Sequence, residues 1–183
     1  MKKIRGAAAI TALLLTALLA QTSLAGQVQV AYFLGEVRMS SPSGQAIGNS
    51  LSLVKRTLNP DESRIIELVV SIDPGKPTKE FTTIFEVQGA RFVMKDTEGT
   101  FTGEGGLIGK AWEWSGWNYE VEFTGARKGR LKGEDFLGPE GLTVKKSFAT
   151  ADGVVRMLFI EDLKPISKAT YDILRAKVLP EQK

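Results

Sequence analysis

Histidine and cysteine are both missing from this chain of 183 residues. Without histidine there is no Ser-His-Asp or Cys-His arrangement and no imidazole to move protons. The usual zinc and copper ligand sets go with them. The lack of cysteine also removes a disulfide framework and a lipid-modified cysteine anchor, and leaves oxidising and reducing compartments equally suitable. Long apolar runs are scarce too. AAAITALLLTALLA (7–20) falls short of the ~20 residues that a membrane-spanning helix needs. Phosphate-binding motifs are missing: GEGGLIG lacks both GxGxxG spacing and a following helix, and no Walker lysine pattern occurs. DGVVRMLFIED has no calcium-loop spacing. The sequence therefore predicts no cofactor, no metal and no assignable catalytic residue.

The first segment reads as a sorting signal. Lys2, Lys3 and Arg5 precede the apolar run, and Ser23 and Ala25 supply small residues at −3 and −1 before Gly26. These are the three parts of a secretory signal peptide, with cleavage expected after Ala25 and export to the periplasm or medium. The whole chain carries 24 Lys+Arg and 21 Asp+Glu; losing residues 1–25 leaves 21 of each. A nearly neutral mature surface offers nothing to attract nucleic acid or anionic lipid. The basic run Arg127-Lys128-Gly129-Arg130-Leu131-Lys132 is broken by glycine and leucine, and reads as a solvated strand face.

Residues 26–183 are enough for one domain with its own core. They alternate with period two and are punctuated by turns. Strands are expected at 28–39, 49–58, 64–72, 80–87, 91–95, around Phe101, and at 131–136, 142–148 and 154–160. The turns between them include SPSG, NPDES, DPGKP, TEGT, GPEG and Asp152-Gly153. GEGG is expected as a flexible turn entering a strand. Gly125, Gly129 and Gly133 mark bends or close backbone approach. Only about 166–179 reads as helix, with Ser167 as cap, Ile166 and Tyr171 as a hydrophobic staple, an apolar stripe of Tyr171, Leu174 and Val178, and Pro180 as stop. Such a helix would lie against the sheet or close one end of it. The fold class is all-β: a single antiparallel up-and-down β-barrel of about eight to ten strands with one C-terminal amphipathic helix.

All three tryptophans lie in GKAWEWSGWNYEVEF (109–123). With Ser115-Gly116 as a two-residue hairpin loop, Trp112, Trp114, Trp117 and Tyr119 share one face. A bulge at the same pair gives the same result, whereas an unbroken strand would split them. The expectation is therefore a common aromatic wall facing inward, opposite Glu113. Four such rings would bury about 150–250 Å² each. Three roles stay open for them: ordinary core, lining of a ligand cavity, or an exposed platform for stacking sugars.

A carboxylate-pair hydrolase remains conceivable on composition, but Glu98, Glu104, Glu113, Glu120 and Glu122 fall on expected surfaces or turns. An integral outer-membrane barrel is disfavoured, because Lys128, Arg130, Lys132 and Glu134 would face lipid.

The alternating strands with a terminal helix resemble calycins, the lipocalin-like and fatty-acid-binding-like barrels. The likeness is architectural: the first strand offers Phe33-Leu34-Gly35-Glu36-Val37 in place of the lipocalin Gly-x-Trp. The runs GTFTGEGGLIGKAWEWSGW and EDLKPIS also resemble an uncharacterised family of exported bacterial proteins, a likeness that transfers no functional residues. The calycin resemblance implies an exported soluble barrel that binds a small hydrophobic or amphiphilic ligand non-covalently. Its expected lining residues are Phe81, Phe85, Trp112, Trp114, Trp117 and Tyr119. An envelope scaffolding module with a filled core and a carbohydrate-binding or carbohydrate-active protein are the alternatives.

Overall fold

Side chains along a strand point alternately to its two sides, so a segment with two distinct faces must place one of them inward. A computed structural model describes residues 27–108, 111–118 and 129–179, and the alternation there resolves into ten strands. They are β1 (Gln29–Ser40), β2 (Ala46–Leu58), β3 (Arg64–Ile72), β4 (Lys79–Gln88), β5 (Arg91–Asp96), β6 (Phe101–Ile108), β7 (Ala111–Asn118), β8 (Gly129–Gly138), β9 (Gly141–Thr150) and β10 (Val155–Pro165). The helix α1 (Lys168–Val178) follows. Each strand pairs antiparallel with the next, and β1 closes the ring on β10. The result is an up-and-down barrel with a C-terminal helix, consistent with a calycin-like architecture.

Closure requires the strands to tilt and their register to climb. Partners can be traced from Gln29 through Leu58, Ile65, Phe85, Met94, Gly103, Gly116, Leu131 and Phe148 to Met157. The next residue, Leu158, pairs with Ser40 at the opposite end of β1. One circuit therefore climbs almost the whole strand. The connections sort by end. Residues 59–63, 89–90 and 139–140, with the start of α1, occupy the proximal end; 41–45, 73–78, 97–100 and 151–154 occupy the distal end. In the last of these, Gly153 takes φ +85° and its N–H donates to the Thr150 carbonyl at 2.8 Å. Only glycine enters that region without strain, as the Asp-Gly pair predicted.

Helix α1 begins where expected. The Ser167 hydroxyl accepts the Thr170 N–H at 3.1 Å, and Ile166 and Tyr171 pack in one cluster. The helix lies on the outside of the barrel over Tyr32, Leu34, Leu53, Val70 and Ile72. Leu53 and Val70 are thus fully buried although they point away from the lumen. Arg175 clamps the helix to β4 by donating to both oxygens of Glu80, at 2.9 and 3.0 Å.

Two expectations are corrected. Strand β7 runs unbroken through Ser115-Gly116 in regular register with β6 and β8. The aromatic wall is therefore split: Trp112 and Trp114 turn inward, while Trp117 lies on the opposite side with Glu113 and Ser115. Tyr119 lies outside the described residues. The GEGG stretch is not a turn either; Gly103, Gly105 and Gly106 are residues of β6. Both corrections have one cause. Gly116 faces the lumen under the Phe101 ring, and Gly105 faces it under Phe92. A β-carbon on Gly105 would sit 2.5 Å from Phe92 Cζ, and one on Gly116 2.6 Å from Phe101 Cζ. These glycines are strand positions emptied to receive a neighbour's ring, the pairing known as aromatic rescue.

Candidate functional site in the barrel lumen

Register assigns the inward positions, and the principal ones are these. From β1 to β4 the lumen receives Phe33, Gly35, Val37, Ser50, Ser52, Val54, Arg56, Leu58, Ile65, Glu67, Val69, Ser71, Phe81, Thr83 and Phe85. From β5 to β10 it receives Phe92, Met94, Phe101, Trp112, Trp114, Leu131, Gly133, Asp135, Leu137, Leu142, Val144, Lys146, Phe148, Met157, Phe159, Glu161 and Leu163, with Asp96 at the distal end of β5 accepting from the Thr100 N–H and hydroxyl. Three apolar clusters result. One unites Leu58, Ile65, Phe85, Phe92, Met94, Phe101 and Trp114; a second centres on Phe33, Leu142 and Leu163; the third on Val37, Phe148, Met157 and Phe159.

Glycine again seats the rings. A β-carbon at Gly133 would lie 2.2 Å from two atoms of the Trp114 indole, and one at Gly129 1.9 Å from Phe148. Trp114 meets Phe101 edge-on at 5.9 Å, and Phe92 meets Trp112 at 5.0 Å. Trp114 also has its polar handle satisfied, with Nε1–H donating to Asp135 Oδ1 at 2.8 Å.

That bond leads into an ionic network at mid-height. Arg56 on β2 donates to Glu67 on β3 at 2.5 Å and reaches Asp135 on β8 at 3.6 Å. Strands β2 and β8 are separated by β1, β10 and β9 in the ring, so this pair spans the lumen. The guanidinium also lies 6.0 Å from the centre of the Phe85 ring. Lys146 on β9 pairs with Glu161 on β10. Burial is the main cause that lifts the Asp135 carboxyl to about 6; the Glu67 carboxylate adds to it, while Arg56, the Trp114 bond and Lys146 oppose it. Burial presses the Lys146 ammonium down, but Glu161, Asp135 and Glu67 outweigh it and hold its pKa above the ordinary lysine value.

Access to this network is uneven. Arg56, Asp135 and Glu161 are buried. Lys146, in the middle of β9 and pointing inward, keeps 27% of its side chain accessible. Ser71 and Thr83 are half-buried, and Phe81 is 40% exposed near the distal end. Small hydroxyl side chains line the distal part of β2 to β4: Ser50 and Ser52 are buried, Ser71 and Thr83 half-buried. Next to them around the ring, on β1, β10 and β9, stand the buried apolar Val37, Phe148, Met157 and Phe159.

Of the six aromatic residues expected to line a cavity, the structure gathers three. Phe85 and Trp114 are buried in one cluster, with Trp112 packed against it. Phe81 stands apart toward the distal end, Trp117 is on the outer side of β7, and Tyr119 is outside the described residues. The polar network was not anticipated, yet its signal is present in the alternation. Arg56 is in phase with Val54 and Leu58, Glu67 with Ile65 and Val69, and Asp135 with Leu137. Lys146 is in phase with Val144 and Phe148, and Glu161 with Phe159 and Leu163. Each charge interrupts an apolar face at its own period.

A separate hollow of about 100 Å³ at the β8–β9 turn is lined by Phe136, Pro139, Glu140, Thr143, Asp162 and Lys164, among others, and includes none of the six aromatics. Glu104 and Glu113 are exposed on outer faces, as expected, and so are Arg130, Lys132 and Glu134. Among the described residues no helix is long and apolar enough to cross a membrane. No protein-family model matches the chain, and no curated protein sequence matches it.

Proposed function

We propose that the protein is an exported binding barrel that takes a small hydrophobic or amphiphilic molecule, non-covalently, into the distal part of its lumen. The observation that carries this reading is the accessible Lys146 side chain. Lys146 keeps 27% of its side chain exposed at the centre of an inward-facing strand, and Ser71 and Thr83, also inward-facing, are half-buried. Around it, one wall is apolar and the other carries hydroxyl groups, the mixed lining by which cavities both hold and orient small molecules. The clusters around Phe85 and Phe92 and around Phe33, Leu142 and Leu163 form the floor of this site, with Phe81 at its mouth. Export fits the signal-like residues 1–25.

Native mass spectrometry of protein isolated from its own host should show a retained small molecule. Titration with neutral amphiphiles such as dodecanol or monolaurin should perturb the fluorescence of Trp112 and Trp114. An empty spectrum together with flat titrations would reject the reading. The second reading, an envelope interaction module with a filled core, draws on the rings seated on glycines, among them Phe92 on Gly105 toward the proximal end and Phe148 on Gly129 toward the distal end. It expects those negative results, and a partner held by the outer surface.

A further inference from the structure

Among the described residues, the ionic groups that meet in the lumen's central network are Glu67, Asp135 and Glu161 on one side and Arg56 and Lys146 on the other. They come from β3, β8 and β10, and from β2 and β9; Trp114 on β7 adds its N–H. Arg56 is shared between two carboxylates and Lys146 is occupied by the third. With every group ionised, the network is left one negative charge in excess, and a buried charge without a counter-charge is costly. Resting on the lumen-ligand reading above, we propose that the group recognised here is a single cation: the ammonium head of a small amphiphile, seated beside Asp135 and Glu161.

The count disfavours the opposite head group. An entering carboxylate would be a fourth acid. Sharing Lys146 with Glu161 would set two acids against one cation and leave the network two negative charges in excess. An ammonium, by contrast, brings the network to neutrality. The hydroxyls of Ser50, Ser52, Ser71 and Thr83 provide oxygen acceptors on the distal side, and the wall of Val37, Met157 and Phe159 accommodates an alkyl chain. Without a ligand, a proton on Asp135 restores the balance among these five groups, and burial, with the Glu67 carboxylate adding to it, raises that carboxyl's pKa to about 6. Proton and ligand therefore compete, so a fall in pH weakens binding of the cation.

Three probes of equal chain length test this in the full mature protein: dodecyltrimethylammonium, dodecanoate and dodecanol. They are titrated by calorimetry at concentrations that leave the far-UV circular dichroism unchanged. At pH 7.5 the ammonium should bind about tenfold or more tighter than either of the others. Its affinity should fall severalfold between pH 7.5 and pH 5, while that of dodecanol stays level. Asp135→Asn keeps an acceptor for Trp114 and removes the excess charge, so it should abolish both the preference and the pH dependence. Should that variant not fold, the pH series on the natural protein carries the test. Dodecanoate binding as tightly as the ammonium would overturn the inference and leave the lumen reading standing. Binding by none of the three would overturn both.

Discussion

Gly133→Ala probes the packing on which the lumen depends. The substitution adds one methyl group, at a position with no backbone strain to relieve. Its β-carbon would arrive 2.2 Å from Cε2 and Cζ2 of Trp114 and 2.7 Å from Nε1. The indole has nowhere nearby to move, because Phe101 abuts it edge-on and Asp135 holds its N–H at 2.8 Å. Overpacking of this kind costs about 1–3 kcal/mol. Tearing the N–H from a buried carboxylate adds about 1.5–3 kcal/mol. Reduced freedom of the unfolded chain returns about 0.4–1 kcal/mol. The net expectation is a loss of about 2–5 kcal/mol, or roughly 5–15 °C in Tm. Urea unfolding followed by far-UV circular dichroism measures the loss, and near-UV circular dichroism reports the indole's environment. Gly48→Ala is the control, since its β-carbon would meet nothing closer than Met39 Cε at 3.5 Å. Natural stability and an unchanged near-UV spectrum in Gly133→Ala would refute the ring-on-glycine account.

Four further outcomes follow from the same geometry. Raised from 3.8 to about 6, the Asp135 carboxyl contributes stability that is complete below about pH 4 and lost as pH rises through 6. The difference between the natural protein and Asp135→Asn should therefore shift by roughly 3 kcal/mol over that window, and pH-dependent urea midpoints would show it. Arg56→Ala leaves Glu67 and Asp135 facing each other without their shared cation. It should cost about 3–5 kcal/mol at pH 7.5 and regain part of that at pH 5; an equal loss at both pH values would speak against the cross-barrel pair. Under the helix, Leu53→Ala should cost about 2–5 kcal/mol and Glu80→Ala no more than about 1 kcal/mol, so thermal melts would rank apolar docking above the ion pair. Tyr171 buries a hydroxyl with no partner among the described residues; Tyr171→Phe should be neutral or stabilising by up to about 1 kcal/mol, and a marked loss of Tm would reveal a partner for that hydroxyl.

The barrel class, most strand positions and the C-terminal helix were all legible in period-two alternation, turn residues and a serine cap. These are local signals, each decided within a few residues. What alternation determined is which residues share a side; which side faces the lumen was settled by closure of the sheet. The set Ile66, Leu68, Val70 and Ile72 is apolar yet points outward, and α1 covers part of it. Its neighbours Ile65, Glu67 and Val69 point inward despite a charge. Ser115-Gly116 looked like a break because serine and glycine favour turns when no neighbour is known. The Phe101 ring on the adjacent strand turns the same glycine into a necessary strand position. The ionic network depends on side chains from β2, β3, β8, β9 and β10 meeting across a closed ring. No stretch of sequence contains that meeting, because distance across the lumen is a property of the closed sheet alone.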